Sequence, residues 1–597
     1  MERVRLVIVL AFFIIFSIVI IGRLAYLQIY KGEYFKELSD RNYIKIFVIN
    51  PPRGRIFDRN GVLLAYDVPT FNLVAFPYIV KQNEDINRLS IRLKEILGID
   101  LDEKTKEIIE KNIYQKVVIK KMLTEEQIQK FYNYSYLFKG FYIDVVPRRK
   151  YTEYANYLSH IIGYVGYPTK KDLEEDKRLS PDMLVGKTGV EKIYDKYLRG
   201  KAGIKAVLVD AFGRQKEVLW EIEPEKGNDI YLTVDIRMQK IAYDVIKMHN
   251  KESAAVVILN PSNFDILTIL SYPTYDLQKF NDGYTQEEWK ALHEDKYKPL
   301  FNKALNGLYP PGSIFKPLVG IAAINENVIT SDTRISSGAE FSIGSYTYRN
   351  WDPRGCGYIN LAQALEMSCD TFFYQVGLKL GVDNIYKYAK LFGLGEKLNP
   401  DIEQKVSVIP NREWKRKRLK QGWYHGDTVN LSIGQGFLNM TPFDAVKIPA
   451  VIANGGYVYK PNLLKGYFDT KQQKIIHIQP ELIRKIKIKK DALDAVRYGM
   501  YLVVYGGYGT AQVCREAGVV NAGKTGTAQV YRYLERHKKH AKWELRDHAW
   551  FIDFAPYDNP KIAMVVFIEH GESGGKVAAP VAKDILKLMK IQGMFEE

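Results

Sequence analysis

The first pattern along the chain is an uncharged apolar run from Leu6 to Gly22, with Arg3 and Arg5 before it and Arg23 after it. A run of this length is just able to cross a bilayer, because flanking arginines extend their charged ends to the headgroups. A cleaved signal peptide would continue with small residues, whereas Arg-Leu-Ala-Tyr-Leu-Gln follows here. We therefore predict an uncleaved transmembrane anchor within residues 1–24, with the basic N-terminal end in the cytoplasm and the remaining chain on the other side.

Within the predicted domain 25–235, the chain from about residue 40 to 230 alternates short strand-like runs with turn signals and includes a polar helical stretch from Glu84 to Lys111. Thr124 followed by Gln127 has the spacing of a capping box, which predicts the start of a helix. This part of the sequence has no His/Cys cluster and no phosphate-binding loop. We predict an elongated, mixed α/β domain with a structural role.

The pattern changes at about residue 250, where a strand, a turn and a returning strand predict a hairpin. Further helical and strand-like segments follow it in the order Pro311 onward (helix), Leu361 to Lys379 (helix), Lys524 to Val530, Ala549 to Phe554 and Ile562 to Glu569 (strands), and Pro580 onward (helix). Strands, then helices, then strands again are typical of an antiparallel sheet covered by helices. We predict an α+β domain over residues 250–597.

Composition narrows the class of protein. The 46% hydrophobic and 26% charged fractions fit a folded chain and exclude both a disordered and a polytopic membrane protein. The three cysteines, Cys356, Cys369 and Cys514, are an odd number, so we expect no disulfide framework. The net charge of +17 indicates attraction to an anionic partner, and the membrane anchor argues against nucleic acid as that partner.

Three basic runs contribute to this charge: Lys415 to Arg418, Arg484 to Lys490 and Arg536 to His540. The ordinary interpretation of such a run is a solvated face. The alternative is attraction to an anionic polymer or to lipid headgroups, for which Arg536 to His540 is the best candidate because it closely follows the strand at Lys524.

The first candidate for chemistry is Ser313, which follows a Pro-Pro-Gly turn and precedes an apolar helical run. Lys316, three residues later, lies on the same helix face, where its amine can take the hydroxyl proton. The amine must be neutral to do so, which requires burial and nearby positive charge. A Ser-x-x-Lys pattern alone is weak evidence for a catalytic site, because such a short pattern arises by chance in a chain of this size.

Two later motifs strengthen the assignment. Ser368-Cys369-Asp370 follows 55 residues after Ser313, and Lys524-Thr525-Gly526-Thr527 follows 156 residues after Ser368. In this order the three motifs are the signature of serine β-lactamases and penicillin-binding proteins. Ser368 is suited to relay a proton, and no cofactor is needed.

The Lys524 motif has the features of a substrate-binding strand. The Lys524 amine and the hydroxyls of Thr525 and Thr527 suit a substrate carboxylate. Gly526 would leave room for substrate backbone at the strand edge. The backbone N–H groups of Ser313 and Thr527 are predicted to form an oxyanion hole.

At this point the chain resembles the class B penicillin-binding proteins over nearly its whole length. Besides the anchor and the motifs above, the resemblance rests on Arg53 to Gly61 (RGRIFDRNG), Gly186 to Tyr194 (GKTGVEKIY) and Ser432 to Gly436 (SIGQG). It implies a non-catalytic pedestal over residues 25–235 and a D,D-transpeptidase domain over 250–597, without a glycosyltransferase domain.

Within this family the sequence looks like the elongation type. Asp370 stands where the wider family commonly has asparagine, and Tyr348 to Gly357 and Ser368 to Tyr374 also resemble that branch. The resemblance implies that Asp370 binds substrate. Because a carboxylate accepts hydrogen bonds but cannot donate them unless it is protonated, the alternative is that Asp370 holds Lys316 or another cation. The resemblance implies a cytoplasmic-membrane enzyme that cross-links peptidoglycan stem peptides through an acyl-enzyme on Ser313 and is acylated by β-lactams. It also implies a polytopic lipid II glycosyltransferase and elongation-complex proteins as partners. A division-type transpeptidase, a carboxypeptidase or β-lactamase, and a penicillin-binding sensor remain alternatives.

Elongation-type relatives sometimes carry a structural metal, for which Cys356, Cys369 and nearby aspartates are chemically suitable ligands. Asn350 and Cys356, however, stand where such relatives tend to have aspartate and histidine. We therefore predict no metal, and two ordinary buried cysteines.

Overall fold

The computed structural model describes residues 2–31, 33, 44–83, 85–111, 116–181, 183–209, 215–470, 472–530 and 542–596. The basic run Arg536 to His540 lies outside these residues. The chain starts with helix α1 (Glu2–Ala25), continued by one π-helical turn, Tyr26–Tyr30. The stretch Leu10–Tyr30 is long and apolar enough to cross a membrane and is not buried against the rest of the protein.

The strands are β1 (Ile44–Ile49), β2 (Ile56–Phe57), β3 (Leu63–Ala75), β4 (Val117–Lys120), β5 (Phe141–Tyr151), β6 (Val165–Gly166), β7 (Val185–Gly186), β8 (Gly203–Val209), β9 (Gln215–Ile222), β10 (Ile230–Leu232), β11 (Ala254–Leu259), β12 (Ile266–Tyr272), β13 (Ile335–Ser337), β14 (Glu340–Ile343), β15 (Tyr346–Arg349), β16 (Gly357–Ile359), β17 (Tyr457–Tyr459), β18 (Leu464–Asp469), β19 (Lys474–His477), β20 (Leu482–Lys485), β21 (Ala522–Ala528), β22 (His548–Ala555) and β23 (Ile562–Ile568).

After α1 the α-helices are α2 (Pro77–Asn83), α3 (Ile86–Leu97), α4 (Glu103–Lys111), α5 (Glu125–Asn133), α6 (Glu153–Asn156), α7 (Ser159–Ile162), α8 (Lys170–Glu175), α9 (Gly189–Ile193), α10 (Asp195–Leu198), α11 (Ile236–Met248), α12 (Lys279–Asp282), α13 (Gln286–Glu294), α14 (Lys303–Asn306), α15 (Lys316–Asn325), α16 (Leu361–Glu366), α17 (Asp370–Leu380), α18 (Val382–Leu391), α19 (Arg412–Leu419), α20 (His425–Ser432), α21 (Pro442–Ala445), α22 (Lys447–Ala453), α23 (Lys490–Tyr505) and α24 (Ala579–Ile591).

A five-stranded antiparallel sheet, in the order β12-β11-β23-β22-β21, forms the centre of the C-terminal half. Side chains alternate between the two faces of a strand. Val257 and Val565 accordingly pack into one hydrophobic core, and their neighbours Val256 and Val566 pack into a second one. Both faces are covered by helices, which explains why these strands read as continuous apolar runs. The predicted α+β architecture is confirmed.

Helix α15 belongs to the first of these cores and is buried on all sides. An apolar sequence without a polar face is what such a central helix requires. Because α15 begins at Lys316, the fold places this lysine in the interior beside the sheet. On the opposite face, α11 and α24 complete the second core.

A larger sheet connects the two halves of the chain. Strand β10 pairs in parallel with β2 of the N-terminal half and antiparallel with β18 of the C-terminal half. Strand β5 pairs along its whole length with residues 65–75 of β3, and the two strands extend this sheet away from the junction. The helix predicted after Thr124 is confirmed as α5, with the complete capping box.

Buried charges join two motifs of the N-terminal half. Glu191 of the GKTGVEKIY segment accepts hydrogen bonds from Arg53 Nε at 2.6 Å and Arg149 Nε at 2.7 Å. Arg53 also pairs with Asp195, and Arg149 pairs with Asp67. Burial by itself would raise the pKa of Glu191, but Arg149 and Arg53 outweigh it and hold this pKa below its ordinary value. This cluster gives the motif a structural role.

The cysteines contradict the sequence prediction. Cys356 and Cys369 form a disulfide, with their Cα atoms 6.3 Å apart, and Cys514 is a free, buried thiol. The expectation of two ordinary buried cysteines is therefore wrong, and the odd cysteine count did not reveal this single disulfide. The hairpin of β14 and β15 and the following strand β16 bring the chain back to the start of α17, a tertiary contact that an odd cysteine count does not reveal.

Candidate active site

The candidate nucleophile lies in a tight turn. Ser313 is half-buried in a single 3₁₀ turn, Gly312–Phe315, which leads directly into α15. Gly312 has a φ of 60°, and its backbone N–H donates to the carbonyl oxygen of Gly434 at 2.8 Å. A Cβ atom on Gly434 would lie 2.1 Å from the Gly312 oxygen, so only glycine fits. The SIGQG motif thus supports the Ser313 turn from behind, a role that sequence reasoning missed.

The second motif interrupts a helix. The apolar pattern predicted helical structure around Leu361 to Lys379, and the structure divides this stretch into α16 and α17, with Ser368 between them at a φ of 54°. A left-handed backbone is unfavourable for a residue other than glycine, and surrounding contacts must maintain it. The turn directs the Ser368 hydroxyl toward two lysines.

The first of these lysines is Lys316, which is completely buried. Its Nζ donates to Asp370 Oδ1 and to the carbonyl oxygen of Ser368, both at 2.7 Å, and lies 3.4 Å from Ser368 Oγ. Burial lowers the pKa of Lys316, while the Asp370 carboxylate acts in the opposite direction. The lowered pKa favours the neutral amine that a general base requires.

The second lysine is Lys524, also completely buried. Its Nζ donates to Ser368 Oγ at 2.8 Å and to the carbonyl oxygen of Thr525 at 2.9 Å. Burial moves the pKa of Lys524 well below its ordinary value, and the positive charge of Lys316 lowers it further. The Ser368 hydroxyl therefore connects two amines that both have depressed pKa values, which is a suitable arrangement for proton relay.

The substrate-binding residues lie on β21, the last strand in the order of the sheet. Thr525 Oγ1 is 2.7 Å from Thr510 Oγ1, and Thr527 Oγ1 accepts a hydrogen bond from the Gly574 N–H at 3.2 Å. A Cβ atom on Gly312 would lie 2.8 Å from the carbonyl oxygen of Thr527, so the nucleophile turn and this strand touch. The oxyanion hole formed by the N–H groups of Ser313 and Thr527 stays a prediction.

Gly526 requires a correction. The sequence analysis explained this glycine by the approach of substrate backbone. A Cβ atom at this position would instead lie 2.8 Å from Ile314 Cγ2 and 2.9 Å from the Pro311 oxygen. The structure therefore accounts for the glycine by close packing of the Ser313 turn against β21.

Asp370 is held by residues that sequence reasoning did not assign to the site. The Asp370 N–H donates to Asn350 Oδ1 at 2.8 Å, and the Trp351 N–H donates to Asp370 Oδ2 at 3.2 Å. Asp370 therefore contacts Lys316 through one carboxylate oxygen and the loop after β15 through the other. Both partners lie in the YRNWDPRGCG segment, but nothing in its sequence indicates which contacts it makes.

Metal binding was the alternative prediction for the cysteines. Cys356 and Cys369 are bonded to each other and provide no thiolate ligand. Within the residues that the structure describes, no group of three or more His, Cys, Asp or Glu side chains could hold a metal ion.

Comparison with known proteins agrees with this geometry. The family "Penicillin binding protein transpeptidase domain" matches residues 254–587, and the family "Penicillin-binding Protein dimerisation domain" matches residues 48–232. The chain is 34% identical to Peptidoglycan D,D-transpeptidase MrdA of Haemophilus influenzae, covering 94% of this chain and 87% of the relative. It is also 34% identical to MrdA of Escherichia coli K12, covering 94% and 90%.

Solved structures give the same result. The chain resembles PBP2 of Helicobacter pylori, determined in complex with MreC, with a TM-score of 0.79 and 30% identity over 92% of this chain and 99% of that one. For Pseudomonas aeruginosa PBP2 the TM-score is 0.67 at 31% identity, covering 91% and 96%.

Fold and motif order together define a serine acyl-transfer enzyme of the penicillin-binding class. The chain belongs to the penicillin-binding protein family of peptidoglycan D,D-transpeptidases, in its elongation-type, PBP2 branch. The resemblance drawn from the sequence is confirmed.

Proposed function

We propose that this protein cross-links peptidoglycan during cell-wall elongation, with Ser313 as the nucleophile of a D,D-transpeptidase. The observation that carries this assignment is the convergence of two buried lysines on Ser368 Oγ, one of which is Lys316 of the Ser313 motif. A serine hydroxyl needs a neighbouring base to become nucleophilic, and Lys316 is the amine three residues away.

The reaction proceeds in two acyl transfers. Ser313 Oγ attacks the penultimate D-alanine carbonyl of a donor stem peptide and transfers its proton to the neutral Lys316 amine. The bond to the terminal D-alanine breaks, and the leaving amine receives a proton through Ser368 Oγ. An amine of a neighbouring stem peptide then attacks the acyl-enzyme carbonyl and gives a proton to the neutral Lys316 amine. As the ester bond to Ser313 breaks, Lys316 passes this proton to Ser313 Oγ, which restores the serine hydroxyl and the neutral amine.

In this proposal, residues of β21 bind the substrate. The Lys524 amine, with the hydroxyls of Thr525 and Thr527, binds the terminal carboxylate of the donor peptide, and the Ser313 and Thr527 N–H groups stabilise the oxyanion. Asp370 holds Lys316 rather than substrate. β-Lactams acylate Ser313 by the same route.

We further infer a division into anchor (1–24), pedestal (25–235) and transpeptidase domain (250–597), with the last on the extracytoplasmic side. The basic residues before the anchor support this orientation. The disulfide also supports it, because disulfides persist in oxidising compartments. A polytopic lipid II glycosyltransferase and other elongation proteins would contact the anchor and the pedestal. Capture of such partners from cells, rather than division proteins, distinguishes the elongation role from the division-type alternative.

The decisive experiment is incubation of the full-length protein with a fluorescent penicillin, followed by intact-mass measurement and peptide mapping. We expect a stable adduct on Ser313 that is absent from Ser313→Ala and retained in Ser331→Ala. Rapid release of hydrolysed drug would instead indicate a β-lactamase. A folded protein without any adduct would leave a penicillin-independent scaffold and refute the assignment of the site.

A further inference from the structure

The disulfide lies inside the candidate active site. Cys369 is the middle residue of the Ser368-Cys369-Asp370 motif, is completely buried and directly precedes α17. Its partner Cys356 is half-buried at the end of the loop that joins β15 to β16. The covalent bond thus joins this loop to Cys369, which lies between Ser368, the predicted proton relay, and Asp370, the partner of Lys316.

The same loop contacts the motif at further points. Asn350 Oδ1 accepts a hydrogen bond from the Asp370 N–H at 2.8 Å, and the Trp351 N–H donates to Asp370 Oδ2 at 3.2 Å. The Trp351 indole N–H donates to the carbonyl oxygen of Met367 at 3.0 Å, on the other side of Ser368. The loop therefore holds the backbone both before and after Ser368, which has the unfavourable left-handed conformation.

The tip of the loop is exposed, whereas Asn350 at its start is buried, and the N–H groups of Asn350 and Cys356 donate to the carbonyl oxygens of Ala339 and Ser337. The Trp351 side chain is 60% exposed, and Asp352 to Gly355 form a turn that pairs mainly with itself through Asp352 and Arg354. The two hydrogen bonds made by Trp351 are exposed and open readily, because few buried contacts resist the opening. The disulfide is the contact that does not open with them.

We propose that the Cys356–Cys369 disulfide is a positioning device for acyl transfer. It keeps the loop 350–356 against residues 367–370 and thereby fixes the Asp370 carboxylate beside Lys316 and the Ser368 hydroxyl between Lys316 and Lys524. This inference rests on the proposed function of these residues. A misplacement of catalytic groups by about 1 Å lowers a reaction rate by about 100-fold. Loss of the disulfide should therefore lower the rate constant of acylation, by about 10- to 100-fold.

The test compares oxidised and reduced full-length protein in detergent, in a Cys514→Ser background that leaves only the pair. Dithiothreitol supplies two electrons and two protons, the Sγ–Sγ bond becomes two thiols, and the reagent becomes a cyclic disulfide. Acylation by a fluorescent penicillin is followed over a range of drug concentrations, which separates the acylation rate constant from the dissociation constant of the first complex. Thermal unfolding of each sample reports the folded fraction.

We expect reduction to lower the acylation rate constant at least tenfold, with little change in the dissociation constant, and reoxidation with oxidised glutathione to restore it. Cys356→Ser, which leaves residues 367–370 unaltered, should match the reduced protein and should not respond to dithiothreitol. Cys514→Ser alone should acylate like the wild-type protein.

Three results would overturn the proposal: equal acylation rate constants with and without the disulfide, a loss that merely follows the folded fraction, or three free thiols in oxidised, denatured wild-type protein. Failure of the proposed function gives a different result, because the oxidised wild-type protein would then form no adduct on Ser313 at all.

Discussion

Replacement of Asp370 by asparagine tests whether Lys316 is the base. The carboxylate lies 2.7 Å from Lys316 Nζ, and two unit charges at this distance attract each other by about 6 kcal/mol at an effective dielectric constant of about 20. This is an upper limit, and opposite charges at such distances usually change a pKa by about 1–3 units. Burial already lowers the pKa of Lys316, and only Asp370 opposes it. Asp370→Asn should therefore lower the pKa of Lys316 further. It should also lower the pKa of Lys524, because the Asp370 carboxylate raises that pKa as well.

The assay is the acylation rate at saturating chromogenic cephalosporin between pH 5 and pH 10. Because acylation requires a neutral amine, the rate rises with pH, and its midpoint belongs to the coupled lysines. We expect Asp370→Asn to move the midpoint down by about 1–3 pH units. Asp352→Asn is the matched control, since Asp352 pairs with Arg354 in the same loop and does not contact Lys316. A midpoint in Asp370→Asn that stays in place or moves to higher pH would refute the assignment of Lys316.

Two further predictions concern stability, measured by unfolding of the full chain in detergent. Glu191→Ala leaves Arg53 and Arg149 buried without their shared carboxylate, so it should lower the free energy of unfolding by about 3–5 kcal/mol. The control is Glu103→Ala, at an exposed ion pair, which should change the free energy of unfolding by less than about 1 kcal/mol. Stability that is unchanged in Glu191→Ala would contradict the role of this cluster. Burial raises the pKa of Asp553 from 3.8 to about 7. Because the folded state then holds a proton that the unfolded state releases, stability should fall as pH rises from about 4 to about 7. Asp553→Asn should remove this part of the pH dependence and gain up to about 4 kcal/mol at pH 8. If the free energy of unfolding changed with pH in the same way in the variant and in the wild-type protein, the raised pKa of Asp553 would be refuted.

The parts of the fold that follow from local patterns could be predicted from the sequence. The sheet strands β11, β22 and β23 are short apolar runs bounded by turns, and the core they form is buried on both faces. The helix after Pro311 follows from the fixed φ of proline and from the apolar run. These features depend on residues near one another in the sequence. Each of the three motifs is likewise a short local pattern, so the motifs could be found in the sequence even though they lie far apart.

The parts that depend on distant contacts could not be predicted. The left-handed backbone at Ser368 interrupts a good helical pattern, and the Ser368 hydroxyl accepts a hydrogen bond from Lys524, 156 residues away. The disulfide depends on the return of the chain through β16 to the start of α17. The need for glycine at Gly526 comes from a turn more than 200 residues earlier, so neighbouring residues suggest the wrong reason.

The charges of the site indicate how substrate activates its own nucleophile. Two buried lysines share one carboxylate, and because Asp370 contacts Lys316, a proton on Lys316 is stabilised more than a proton on Lys524. In the proposed function, a substrate carboxylate at Lys524 would supply the second negative charge and would attract the proton from Lys316 through Ser368 Oγ to Lys524. Lys316 then becomes neutral when substrate is present. We therefore expect a penicillin with a free carboxylate to acylate the enzyme with a lower midpoint in its pH profile than the corresponding methyl ester, both measured as the rate constant at saturating drug. Equal midpoints for the acid and the ester would show that Lys316 loses its proton independently of the substrate carboxylate.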